Sequence, residues 1–204
     1  MTANVGSFLH RWAQRVPERT GIVDAGRKEL ALSYATLDEQ AARVAAHLAK
    51  SGLGRGDRVA ICTANGIEFV AAWFGAVYAG CTTLPIPVMS TEHEIAFRLR
   101  HSGCSALLSD AERISVARGA KARSGLPVDV LLVEEAIDRA GTTLSPRELP
   151  EQSVAMLLYT SGTTGAAKAV CITHGSLAAH TKALVEQTLR LGEEDRVLGT
   201  LPLS

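Results

Sequence analysis

Short apolar runs alternate along this chain with longer stretches in which apolar residues return every three or four positions, and that alternation predicts its architecture. Residues 6–16 set Phe8, Leu9, Trp12 and Val16 at helical spacing, with Pro17 as the stop. Two short strands, 22–24 and 30–32, flank an Ala25-Gly26 turn. Ser33 caps a helix that aligns Leu37, Ala41, Val44, Ala45 and Leu48 on one face and ends near Ser51-Gly52. Strands are then expected at 59–62, 82–86, 105–109 and 128–133. Between them lie helices from Asn65-Gly66 to Ala79, over 91–102 and, more weakly and with more charge, over 111–123. The first of these is rich in Ala and Gly, which permits close packing. Buried strands separated by helices of about ten or more residues make stacked βα units, so the expected class is α/β with a mainly parallel sheet flanked by helices.

The stretch 140–153, with Gly141, Pro146 and Pro150, reads as a loop dividing an N-terminal α/β subdomain, 1–150, from the start of a second one, 151–204. The second part opens with an apolar strand at 154–159, followed by a polar loop and a further apolar run at 169–172. A helix over 174–191 and a last strand over 197–201 complete the pattern, the latter leaving an unpaired sheet edge suited to association.

Composition narrows the classes. Apolar residues make up 47% and charged residues 21%, and Lys+Arg equals Asp+Glu at 21 each, so no global field draws the chain to nucleic acid or an anionic membrane. Any polyanion site must be local. Residues 69–91 carry no charge, but Gly75, Gly80, Thr82, Thr83, Pro85 and Pro87 interrupt them, so a buried helix, a turn and a strand are expected there rather than a membrane span. Residues 1–15 contain no apolar core of a secretory signal, and the expected location is cytoplasmic. Cys62, Cys81, Cys104 and Cys171 are scattered and read as reduced, packed thiols, with no metal site. His174 and His180 do not share a helix face, and His10, His47, His93 and His101 are expected on solvated helix faces. The run from Gly52 to Asp57 follows a helix and precedes a strand, the reverse of a dinucleotide-binding loop, and is read as a connecting turn.

The chemistry concentrates after the strand at 154–159. Thr160, Ser161, Gly162, Thr163, Thr164 and Gly165 are followed by Lys168. The glycines let several backbone N–H groups turn into one concavity, the hydroxyls add small donors, and Lys168 brings a mobile positive charge. A strand, a Gly/Ser/Thr loop and a Lys make a polyphosphate cradle. A Walker-type loop needs four residues between its glycines and a helix after its Lys; only Thr163 and Thr164 intervene here, and β-prone residues follow. A plain polar hairpin turn is the alternative, and it leaves Lys168 unexplained.

The segment Tyr159 to Val170, with Thr173, His174 and Leu177 after it, resembles the signature loop of the adenylate-forming enzymes. This AMP-binding superfamily comprises acyl-CoA synthetases, luciferases and peptide-synthetase adenylation domains. Its pattern runs Tyr-Thr-Ser-Gly-Thr/Ser-Thr-Gly-x-Pro-Lys-Gly-Val; here Ala167 stands for the Pro and Ala169 for the Gly, while Lys168 is kept. Ser33-Tyr34 with Leu37, the run from Gly56 to Ile61, Asn65, Glu68-Phe69, Ala79-Gly80 and Leu84-Pro85 also follow the order of acyl-CoA synthetases. The likeness covers nearly all of this chain and under half of a typical member.

The resemblance implies the N-terminal portion of the adenylate-forming ligase fold. It also implies ATP-dependent activation of a carboxylic acid, fatty or otherwise, to an acyl-adenylate, and transfer to a thiol such as coenzyme A. ATP, Mg²⁺ and coenzyme A are the cofactors implied. Thr160, Ser161, Gly162, Thr163, Thr164, Gly165 and Lys168 would grip the β- and γ-phosphates. Tyr159 would belong to the core, and Thr173 and His174 would hold the loop's exit. No residue is assigned a catalytic or metal-ligating role, because the segments for adenine, ribose and Mg²⁺ and the mobile C-terminal domain do not occur in these 204 residues. The expectation is therefore an N-terminal fragment, inactive alone, that associates with itself or with the missing part. A non-catalytic nucleotide- or partner-binding remnant is the alternative, and a phosphotransferase releasing ADP a third reading.

Overall fold

The computed structural model describes residues 4–24, 26, 30–138, 141–160, 168–200 and 202–204. Helix α1 (Ser7–Arg15) leads to an antiparallel pair, β1 (Thr20–Asp24) and β2 (Leu30–Ser33). Then come α2 (Tyr34–Lys50), β3 (Arg58–Cys62), α3 (Ile67–Tyr78), β4 (Thr82–Pro85), α4 (Glu92–Ser102), β5 (Ala106–Ser109), α5 (Ile114–Ser124), β6 (Asp129–Leu132) and α6 (Val133–Asp138). The chain continues through β7 (Val154–Thr160), β8 (Lys168–Thr173) and α7 (His174–Ala183), and a π-turn over Leu184–Thr188 ends the described secondary structure. Strands β3 to β8 form one sheet in the order β6-β5-β3-β4-β7-β8. Every neighbouring pair is parallel except β7–β8. The fold is α/β with a mainly parallel sheet, as expected, and that sheet runs across residue 150 because β7 pairs with β4.

The period of two along each strand sorts the core into layers. Val59 and Ile61 of β3 and Ala106 and Leu108 of β5 face one side, where they pack with Leu37, Val44 and Leu48 of α2 and Ala72 and Ala76 of α3. Ala60, Cys62 and Leu107 face the other side, against Ile95 and Leu99 of α4 and Ala117 and Ala120 of α5. Burying one such Ile or Leu contributes about 1.5–3 kcal/mol. Helices α2 and α3 approach closely at Gly75, where a Cβ would lie 2.5 Å from the Cβ of Val44. Local signals start the helices: Ser33 Oγ accepts the Thr36 N–H, and Thr91 and Glu94 form a reciprocal capping box on α4. The stretch 69–91 is a buried helix, a turn and a strand, and no helix among the described residues is long and apolar enough to cross a membrane.

Several expectations are corrected. Helix α5 starts at Ile114 rather than 111, because the Asp110 carboxylate accepts the Arg113 N–H and holds 110–113 as a turn. Helix α6 was not foreseen: the apolar run ends as a strand at Leu132, and Val133 and Ala136 turn helical to bury against α2. Helix α7 stops at Ala183, and the following π-turn buries no residue, so packing does not extend the helix to 191. The expected last strand does not form over 197–200, since no described segment pairs with it; Val197 and Leu198 are exposed, and Leu201 lies outside the described residues. The described sheet edges are therefore β6 and β8. His10 is half-buried rather than solvated, its Nδ1 3.0 Å from the Asp38 carboxylate, which also accepts the Tyr78 hydroxyl. Burial pushes the thiol of Cys81 up to about 12 and that of Cys104 up to about 11, as packed thiols require, but Cys171 is exposed on β8.

Candidate phosphate-binding site

Strands β7 and β8 make an antiparallel hairpin whose mouth is the pair Thr160↔Lys168. Going down the ladder, Tyr159 faces Ala169, Leu158 faces Val170, Leu157 faces Cys171 and Met156 faces Ile172, before an irregularity returns Val154 opposite Thr173. Of the sequence-predicted residues, the structure brings Thr160 and Lys168 together, both exposed. Ser161, Gly162, Thr163, Thr164 and Gly165 lie outside the described residues. The hairpin mouth sits at the carboxyl edge of the parallel sheet. Thr83 of β4 registers with Met156, so Tyr159 and Thr160 reach beyond β4, which ends at Pro85. In open α/β sheets that edge is where ligands bind.

The walls below the mouth come from α4, the helix expected over 91–102, and from Ser90 and Arg113 beside it; sequence patterning does not single out their side chains. The Tyr159 hydroxyl lies 2.7 Å from Nδ1 of His101, whose ring stacks on Phe97. The guanidinium of Arg98 sits 5.8 Å from the Tyr159 ring centre and donates to the Ser90 hydroxyl. Arg113 donates to the Ser90 carbonyl at 2.7 Å. The Nε atoms of Arg98 and Arg113 are buried without a hydrogen-bond partner among the described residues. Burial raises the Tyr159 phenol above its usual range, so it stays protonated, and its ring packs against the second apolar cluster. Burial also raises the Cys62 thiol, with Arg113 pulling in the opposite direction. No local spacing in the sequence joins Arg113 to Arg98 and His101, because Arg113 precedes α5 while the other two lie on α4, and the fold brings them together only at the sheet's edge.

At the base of the hairpin Thr173 caps α7 through a reciprocal bond with Ser176. His174 is fully buried, and burial alone lowers its pKa from the usual 6.5. The arrangement presents one exposed hydroxyl and one exposed ammonium at the two ends of a Gly/Ser/Thr loop. Those are groups suited to an oxyanion rich in charge and poor in shape.

Comparison with known proteins supplies the family. The family model for AMP-binding enzymes matches residues 9–204. The chain belongs to the AMP-binding enzyme family. It is 32% identical to syringomycin synthase SyrB1 of Pseudomonas syringae pv. syringae over 91% of this chain and 29% of that protein. It is 26% identical to a long-chain-fatty-acid–CoA ligase of Bacillus subtilis over 96% of this chain and 41% of that one. The N-terminal domain of FACL13 from Mycobacterium tuberculosis superposes with a TM-score of 0.76 at 29% identity, over 84% of this chain and 44% of the other. A long-chain-fatty-acid-CoA ligase from Archaeoglobus fulgidus, FadD1, gives a TM-score of 0.87 at 23% identity, over 98% of this chain and 42% of that one, a likeness of fold. The chain spans less than half the length of each of these proteins.

Proposed function

We propose that this chain supplies the polyphosphate-gripping front part of a ligase that activates a carboxylic acid, fatty or otherwise, as its acyl-adenylate and passes the acyl group to a thiol such as coenzyme A. The observation that carries the reading is the Thr160↔Lys168 pair, which closes a Gly/Ser/Thr loop at the carboxyl edge of the sheet. In this reaction a carboxylate oxygen attacks the α-phosphorus of ATP, the α–β bridge breaks and pyrophosphate leaves. Charge gathers on the departing group, and fixed N–H and hydroxyl donors with a lysine stabilise it there. Thr160, Ser161, Gly162, Thr163, Thr164, Gly165 and Lys168 would hold the β- and γ-phosphates. Lys168, first in β8, would follow the leaving group on its flexible stem. Mg²⁺ would enter with the nucleotide as MgATP, since it keeps substrate phosphates and waters among its ligands. The division into 1–150 and 151–204, with the second part continuing beyond the loop, belongs to this same reading, as does a cytoplasmic setting.

Carboxylate-dependent ATP–pyrophosphate exchange tests the proposal, run on the natural polypeptide that carries this N-terminus and on the 204-residue chain. Lys168→Ala should lower exchange about a hundredfold, the range seen when one oxyanion-stabilising group is removed. Unchanged exchange in that variant would remove Lys168 from the reaction, and ADP rather than AMP as product would favour phosphotransfer.

A second reading, a partner-binding chain without turnover, draws support from a groove of about 370 Å³ lined by Phe8, Phe69, Trp73, Phe74, Met156 and Leu203. Exposed apolar surface of this kind often marks an interface. Sedimentation of the 204-residue chain at high concentration separates the two: a strict monomer that binds ATP favours the first.

A further inference from the structure

The three residues immediately ahead of α1 thread between the end of α3, the segment before β7 and the start of α7. The Asn4 side chain donates to the Val77 carbonyl at 3.0 Å and to the Arg147 carbonyl at 2.8 Å, and its oxygen accepts the Gly6 N–H at 2.8 Å. Its polar atoms are thus all engaged, joining the end of α3 to the segment before β7. Gly6 fits because a Cβ there would lie 2.7 Å from the Tyr78 ring. Val5, also buried, donates its backbone N–H to Nδ1 of His174 at 3.3 Å, a bond spanning most of the sequence. His174 has no exposed surface, and its backbone N–H donates to the Ser153 carbonyl at 3.0 Å. With Nδ1 accepting, the imidazole is neutral with its proton on Nε2, which is buried and unpartnered among the described residues.

The importance of this tie follows from what β8 lacks. It is an edge strand with one neighbour, and none of its residues is buried. The first fully buried side chain after Lys168 is that of His174, at the foot of the same strand. Whatever fixes His174 fixes where β8 begins its climb to the hairpin mouth. A register slip of one residue would turn Lys168 to the opposite face.

We infer that residues Asn4–Gly6, acting through the Val5 N–H to His174 Nδ1 bond, position β8 and so set where Lys168 stands. His174 is a positioning residue and the N-terminal segment is its clamp. This rests on the polyphosphate reading for its functional consequence, but not for its structural content.

The test compares His174→Asn with His174→Leu in the 204-residue chain. The two replacements share one branched side-chain skeleton, and only Asn offers an oxygen near the Nδ1 position to accept the Val5 N–H. Leu leaves that buried donor unsatisfied. In His174→Leu, hydrogen exchange of the β8 amides should quicken about tenfold relative to those of β3 and β5, and ATP affinity should fall by a similar factor. His174→Asn should restore most of both. Nitrogen-15 spectra of the wild-type ring should show the proton on Nε2. Equal behaviour of the two variants, or exchange quickening equally in β3 and β5, would overturn the inference, as would a proton on Nδ1. If His174→Leu does not fold, Asn4→Ala tests the same clamp from its other end, with the same exchange pattern expected. A wild-type chain that binds no ATP would sink the polyphosphate reading, while the exchange pattern would still decide the clamp.

Discussion

Strands β3 and β8 belong to one sheet and live in different surroundings. β3 has a parallel neighbour on each side and helices over both faces, and Val59, Ala60, Ile61 and Cys62 are all at most 1% exposed. β8 has a single antiparallel neighbour, and its Val170 is 48% exposed. The first is held by area removed from water, spread over many contacts. The second is held by the ladder to β7, the Thr173 cap and the His174 anchor. On the proposed polyphosphate reading, placing the Lys168-bearing strand in the second kind of surroundings would separate function from stability: a few polar ties hold that strand, and the rest of the sheet scarcely depends on them.

The largest change should come from the body. Ile61→Ala removes a fully buried side chain between α2, α3 and the sheet, and should lower unfolding free energy by about 2–5 kcal/mol in urea denaturation. A smaller loss would mean that this layer relaxes to fill the space.

Acid should act on the other region. The pKa of His174 is lowered in the folded state by burial alone, so the folded form binds its proton less readily than the unfolded form. Its penalty is absent above the usual 6.5 and grows as pH falls below it. Stability should therefore drop with acidification at up to about 1.4 kcal/mol per pH unit for this one proton. His174→Asn should flatten that part of the profile, and an unchanged slope would locate the effect elsewhere.

Helix caps give an intermediate effect in both regions. Thr91→Ala should cost about 1 kcal/mol of global stability, because α4 packs over the second apolar layer. The same change at Thr173 should register mainly as faster amide exchange at the start of α7, since that helix has only His174 buried. Equal global losses at the two caps would blur the distinction between the regions. The smallest effect belongs to Val170→Thr, on the exposed side of the edge strand, expected within about 0.5 kcal/mol.

The residues alone determined most of the βα body. Apolar periodicity, Ser33 as a cap, and the glycine-containing turns located β3, β4 and β5 and helices α2, α3 and α4, because in these segments local preference and burial agree. They also singled out the polar loop with its lysine, because no core packing calls for six small polar or glycine residues followed by a charge. Where local signals were weak or contradicted by surroundings, only the tertiary structure decided. Val133 reads as the end of a strand and becomes the start of α6, since the open surface of α2 accepts a helix there. The apolar residues at 197–200 read as a strand and remain unpaired, since a strand is a relation between two segments. Arg98, His101 and Arg113 carry no mark in the sequence, yet the fold gathers them at the sheet's carboxyl edge below the hairpin mouth. The clamp of Val5 on His174 joins residues far apart in the chain, and such a contact exists only once the sheet has brought the two ends together.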